Sequence, residues 1–332
     1  MSHHSIAVCP DDIKKIFSLV EIIKGETEQP TEENIFPMAA VYAQELPRAV
    51  RLLVHDFTTP ETCDALTLKM GDVFCGSAGN TPTEYDELEP GYVYNDAQIV
   101  HALISTLIGI PVGYSSQRSG RRLNNIIPTK NLENVPNSSS GSKHDFGFHT
   151  EDAFHEFKGD HLGLVCIRND ERASTNFVSI NEIKISPLLK AALFKPDYVI
   201  GHNPIHQLPE GHKPPRNSIL YGCWDRPFMR INVNNTHGVD RSAQYALDDF
   251  ILAMNTASER VVLEKGDFFY LDNLYTAHAR DAYSPHWGPN ARWLSRFILT
   301  KDIRKSAVAR KDWRSPVIEN DYDQNDSPFG SR

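Results

Sequence analysis

Apolar residues recur at three- and four-residue intervals near the start of the chain, where Ile13, Ile16, Phe17, Val20 and Ile23 follow Pro10-Asp11-Asp12. That spacing is one face of an α-helix, and a proline with acids in the first turn is a plausible capped start. A second helix is expected near Ala97–Ile108. There Ile99, Leu103, Ile104 and Leu107 keep the period, and Gly109 and Pro111 end it. Between the two, Gly76–Gly91 is rich in Gly, Pro, Thr and acids and reads as a surface loop. From about residue 112 the texture changes to short β-branched and aromatic runs separated by turn chemistry: His161–Ile167, Ser218–Trp224, Phe228–Val233, Val261–Leu271 and Trp293–Leu299. Asn137–Ser142 is a flexible loop by composition, Gly201–Asn217 with its four prolines is another, and the tail beyond Lys311 is polar and irregular. Helices followed by many short strands predict a mainly β fold with N-terminal helices, a sandwich or open barrel of the jelly-roll kind. We read one domain over 1–332: a helical part over 1–110, a jelly-roll core with the metal site over 111–302, and an irregular tail over 303–332.

Composition narrows the partners. The 332 residues are 40% hydrophobic, enough for a full core, and the formal net charge of −9 disfavours attraction to nucleic-acid phosphates. No apolar run reaches the roughly 18 residues of a spanning helix, and Met1-Ser2-His3-His4 lacks the basic-then-apolar order of a signal peptide. The expected compartment is the cytoplasm, with a small-molecule partner and neither membrane nor nucleic acid. Five scattered cysteines without a C-x-x-C pair argue against a disulfide framework and a zinc ribbon.

The chemistry concentrates in Phe148-His149-Thr150-Glu151-Asp152-Ala153-Phe154-His155. In a strand or at its end, residues two apart point the same way, so His149 and Glu151 can present an imidazole and a carboxylate to one ion. His278, at the end of an apolar strand, is the candidate for a second imidazole. Two histidines and a carboxylate on a β-scaffold form the facial ligand set of non-heme iron(II) oxygenases, which leaves coordination positions open for a cosubstrate and dioxygen. A zinc hydrolase is the competing metal reading, although it usually needs H-E-x-x-H, which is missing here. With 14 histidines in the chain, H-x-E plus a distant histidine is a weak pattern by itself, and a lone histidine is often structural. Arg292 and Arg296 follow in a run whose alternation would turn both toward the same side, where a buried guanidinium needs an anion. Two surface arginines on a polar face would read the same way.

Several separate segments together resemble a known family. His149 to His155, Gly163-Leu164-Val165-Cys166-Ile167-Arg168-Asn169, Ser174-Thr175, Asp272-Asn273 with His278-Ala279-Arg280, and Arg292-Trp293-Leu294 with Arg296 are similar, in order over about 110–302, to the clavaminate synthase-like oxygenases. That group includes asparagine oxygenase and the arginine and lysine hydroxylases. The resemblance implies a double-stranded β-helix (jelly-roll) core, Fe(II) held by His149, Glu151 and His278, and 2-oxoglutarate and O2 as cosubstrates of a dioxygenase. It implies that Arg292 holds the distal carboxylate of 2-oxoglutarate with help from Thr175. Arg296 matches the position that engages the substrate carboxylate, and Gln117 resembles the family's Gln near the substrate amine, which Glu151 can also accept from. Because Glu151 fills the position that halogenating relatives leave to Gly or Ala, hydroxylation is expected. Desaturation or cyclisation stays open, as does a non-catalytic jelly-roll binding protein.

The expected substrate is a free L-amino acid, basic by resemblance, with lysine first and arginine, ornithine or citrulline next. In Arg230-Ile231-Asn232-Val233-Asn234, strand alternation would put Asn232 and Asn234 on one face of the substrate pocket. The arginine hydroxylases carry acids thereabouts, and neutral amides offer a guanidinium no charge-assisted partner. The other reading is that both asparagines close a turn before Thr236-His237-Gly238.

Overall fold

The period-3.6 segments fold as their spacing requires. In the computed structural model, which describes residues 3–59, 62–83, 92–203, 205–208 and 214–319, a helix spans Pro10–Thr27 and buries Ile16, Leu19, Val20 and Ile23. The second spans Asp96–Ile108 and is buried along almost its whole length. A capping box starts it: Gln98 N–H donates to Asn95 Oδ1 and Asn95 N–H to Gln98 Oε1, both at 3.1 Å. Two further helices, Glu32–Tyr42 and Arg48–Thr58, complete a layer that shares its core with one face of a large sheet.

That sheet runs in the order His3–Ala7, Ala65–Lys69, Asp267–Asp272, His161–Arg168, Trp293–Thr300, Ile110–Tyr114, Val317–Ile318, with Asn124–Ile126 also on Trp293–Thr300. A small sheet orders Phe146–His149, Thr276–Arg280 and Asn176–Ser179 antiparallel. Apolar side chains join the two, as where Phe177 of the small sheet meets Phe269 of the large one at 5.9 Å between ring centres.

Four expectations are corrected. The part over 1–110 is not purely helical, because His3–Ala7 and Ala65–Lys69 pair in parallel and extend the large sheet. Leu66-Thr67-Leu68-Lys69 alternates apolar and polar residues, a strand signal present in the sequence but only four residues long, and Ala65–Leu68 is buried throughout. The part over 111–302 is not purely β: helices Pro187–Leu193 and Arg241–Ala257 pack behind the small sheet. The second is capped by Asp240, which accepts from Ala243 N–H at 2.9 Å, and buries Ala243, Leu247, Phe250 and Met254, a period readable in the sequence. The tail is not wholly irregular, since Ile303–Ala309 forms a 3-10 turn and Val317–Ile318 pairs with Gly113 and Tyr114. Finally, the Asn137–Ser142 loop is pinned, with Ser140 and Ser142 fully buried. Of the remaining loops, 84–91, 204, 209–213 and the end of the tail over 320–332 lie outside the described residues.

Candidate active site

Antiparallel pairing sets His278 of the central strand of the small sheet directly opposite His149 at the end of its neighbour, with ring centres 4.2 Å apart. The chain then turns, and Glu151 comes back beside them. Its backbone is gripped by one side chain: Glu151 N–H donates to Asn273 Oδ1 at 2.7 Å, and Asn273 Nδ2 donates to the Glu151 carbonyl at 3.1 Å and to the Gly159 carbonyl at 2.8 Å. Ligand atoms of His149, Glu151 and His278 all lie within 4.8 Å of one another, and among the described residues this is the one such group of three.

The donor chemistry fits an iron(II) ion. His149 Nδ1 is 2.9 Å from the Gly147 carbonyl, which leaves Nε2 for a metal. Burial pushes the imidazole of His149 below its ordinary range, and that of His278 well below it, so both are neutral, the form that ligates. Glu151 divides its oxygens. Oε1 accepts from Arg296 Nη1 at 2.5 Å, whereas buried Oε2, 3.6 Å from His278 Nε2, has no hydrogen-bond partner. A buried carboxylate oxygen without a donor, facing two neutral imidazoles, is what a divalent cation would complete.

A cavity of about 40 Å³ opens from these ligands. Thr175, Arg280, Arg292 and Arg296 line it, with Ile126, Leu164 and Leu294 as an apolar wall. Arg292 precedes the strand Trp293–Thr300, whose register is irregular between Trp293 and Leu294, so simple alternation does not relate it to Arg296 although both reach the cavity. Arg292 is 2% exposed and its Nε lacks a partner. Arg280, to which sequence reasoning gave no role, stands in the same cavity. Burial, with Arg292 adding to it, pushes its guanidinium down to about 10. Its fork is committed to the Gly141 and His144 carbonyls, which leaves Arg292 as the guanidinium available to an incoming anion.

On the other side of Glu151 and Arg296 lies a larger cavity of about 300 Å³. Gln117 Oε1 accepts from Arg296 Nη2 at 3.3 Å, so Gln117, Glu151 and Arg296 meet at its edge. Arg118, Asn137, Asn203 and Gln207 continue its lining, and Glu151 is the single carboxylate among the described lining residues. The strand expected over Phe228–Val233 stops at Met229, and residues 232–235 form a turn closed by Asn235 N–H to the Asn232 carbonyl at 2.9 Å. Asn232 and Asn234 therefore do not share a strand face. Asn234 is exposed and donates to Asn137 Oδ1, while Asn232 is buried and its Nδ2 donates to Asn203 Oδ1 at 2.8 Å, one residue removed from the cavity. Asn273 and Asn203 escaped sequence reasoning. The Asp272-Asn273 pair was a visible motif, but its grip on Glu151 spans over a hundred residues of chain.

No protein-family model matches the chain. It is 26% identical over 333 residues to the enduracididine beta-hydroxylase of Streptomyces hygroscopicus, a match covering 93% of this chain and 97% of that protein. With the L-lysine 4-hydroxylase of Chitinophaga pinensis it shares 30% identity over 213 residues, 62% of this chain and 56% of the other. Its fold matches that of the non-heme iron oxygenase OrfP, solved with Fe and alpha-ketoglutaric acid, at a TM-score of 0.86 and 24% identity over 96% of this chain and 100% of that one. The chain is thus a relative of amino-acid hydroxylases with the fold of a non-heme iron oxygenase.

Proposed function

We propose that this chain is an iron(II)- and 2-oxoglutarate-dependent dioxygenase that hydroxylates an unactivated side-chain carbon of a free L-amino acid on a double-stranded β-helix. The observation that carries the reading is the set of buried His149, buried Glu151 and half-buried His278 sharing one cavity with Arg292. Bound there, iron(II) with 2-oxoglutarate and O2 supplies the oxidising power that turns a C–H bond into C–OH, with succinate and carbon dioxide as coproducts. The chain's part is to hold and exclude. His149, Glu151 and His278 hold the metal. Arg292 takes the distal carboxylate of 2-oxoglutarate in charge-assisted hydrogen bonds, with Thr175 beside it. Arg296, poised between Glu151 and Gln117, takes the substrate carboxylate, and Gln117 Oε1 and the remaining lone pair of Glu151 Oε1 accept from its ammonium.

Lysine is the first candidate substrate by resemblance, and a lysine 4-hydroxylase is among the relatives. A second reading has its own support: the described lining of the larger cavity is amide-rich and has no carboxylate beyond Glu151, which favours a neutral polar side chain such as that of citrulline over a cation. The test is succinate release that depends on Fe(II) and on an added amino acid, followed by mass detection of one added oxygen across a lysine, arginine, ornithine, citrulline and glutamine panel. His278→Ala is expected to abolish succinate release and to weaken Fe(II) binding measured directly. An active His278→Ala enzyme would falsify the ligand assignment.

A further inference from the structure

A third cavity, of about 450 Å³, lies behind the Glu151 turn and shares no lining residue with the two described above. Phe157, Tyr221 and Phe228 give it an apolar wall, and Lys158 and Arg230 face into it. Lys158 is 7% exposed, and its ammonium donates to the Asn273 carbonyl at 2.6 Å. An ammonium has three protons to place, so this one neutral acceptor leaves it under-satisfied. Arg230 sits 5.4 Å over the Tyr221 ring and donates from Nη1 to Asn217 Oδ1 at 3.1 Å, while its buried Nε has no partner.

Neither cation has a salt-bridge partner among the described residues. Glu156, Asp160 and Asp302 also line the cavity, with Lys305 as a third cation 3.7 Å from Asp160 Oδ1. Asp160 accepts from Thr300 Oγ1 at 3.1 Å and Lys301 N–H at 2.7 Å, and Asp152 pairs with His206 at 2.9 Å. Asp302 holds the Arg304 side chain at 2.7 and 3.0 Å, and Asp272 accepts from Leu274 N–H at 2.8 Å. Burial, then the nearby Arg230, push the Lys158 ammonium down to about 7 against the opposing pull of Asp272, Asp160 and Asp152. Two cations that repel each other in a half-enclosed, partly apolar cavity are stabilised most directly by an anion that accepts from both.

We propose that this cavity is a second binding site, for a small oxyanion held between Lys158 and Arg230. A carboxylate and a phosphate share that chemistry, and the experiment separates them. The full chain is titrated calorimetrically at constant ionic strength with inorganic phosphate and, in a second arm, with acetate, with Arg292→Ala reporting any binding at the cosubstrate end. Saturable binding of either probe, weakened tenfold or more in Arg230→Gln and in Lys158→Met but unchanged in Arg292→Ala, is expected, and the probe that binds identifies the source. No saturable binding of either probe overturns the proposal. So does binding that survives both substitutions, which marks an adventitious ion only. Should Lys158→Met fail to fold, Arg230→Gln at a half-buried position decides the test alone.

Discussion

Asn273 spends its whole side chain on the Glu151 turn, accepting from Glu151 N–H and donating to the Glu151 and Gly159 carbonyls. Asn273→Ala leaves those buried backbone groups unsatisfied, at a cost of about 1–3 kcal/mol each at most. The variant is expected to melt earlier and to bind Fe(II) more weakly, even though no ligand is changed. An unaltered iron affinity would show that the turn holds Glu151 without it. Arg292 acts through its charge, because this guanidinium is 2% exposed and lines the cavity of His149, Glu151 and His278 with its Nε unpartnered. Arg292→Ala should raise the KM for 2-oxoglutarate by the equivalent of about 2–5 kcal/mol, the usual cost of truncating a desolvated charge pair. Thr175→Ala should do so by only about 0.5–1.5 kcal/mol, as for a neutral hydrogen bond. Steady-state kinetics over 2-oxoglutarate concentration check both.

The elements that carry these residues are held by packing as well as by pairing. Gly147, whose carbonyl orients His149, lies under the turn over 232–235: a Cβ there would come within 2.6 Å of Val233 Cγ2 and 2.8 Å of Asn234 Oδ1. The turn therefore clamps the strand that carries His149, with which Asn232 forms an isolated bridge. Because Asn232 reaches the larger cavity through Asn203, Asn232→Asp sets a carboxylate behind an amide wall. Turnover is expected to shift from citrulline toward arginine or lysine in a competition assay. Exposed Asn234 is expected to matter little, so that Asn234→Ala keeps the native preference. An unaltered preference in Asn232→Asp would take that residue out of substrate selection.

For the molecule as a whole, pH acts through buried imidazoles that do not line the cavity of His149, Glu151 and His278. Burial pushes His101 and His161 down to about 3, and no ring nitrogen of either has a hydrogen-bond partner. In the unfolded chain both return to about 6.5. Between those values the unfolded state binds protons that the folded state refuses, so stability falls as pH drops from about 6.5 toward 3. Urea midpoints are expected to be lower at about pH 5 than at about pH 7.5, and His101→Phe, set among Phe268, Tyr270 and Phe297, should flatten the difference. A midpoint that rises on acidification would contradict the sign. No helix among the described residues is long and apolar enough to cross a membrane.

Local chemistry was legible wherever a neighbour in sequence is also a neighbour in space. The helices at Pro10–Thr27 and Asp96–Ile108 follow from periodicity and caps. His149 and Glu151, two apart at a strand end, needed no fold to be paired as candidates, and the ordered motifs out to Arg296 singled out His278 and Arg292 by resemblance. Tertiary structure alone decided the rest. The pairing of Ala65–Lys69 with His3–Ala7 and Asp267–Asp272 joins segments far apart in the chain, and the turn at Asn232 broke an alternation expected of a strand. The grip of Asn273 on Glu151, the split use of the Glu151 oxygens and the leftover cations at Lys158 and Arg230 arise between residues far apart in the chain. Their meaning lies in which polar groups find partners after burial, and that inventory exists only once the chain has closed.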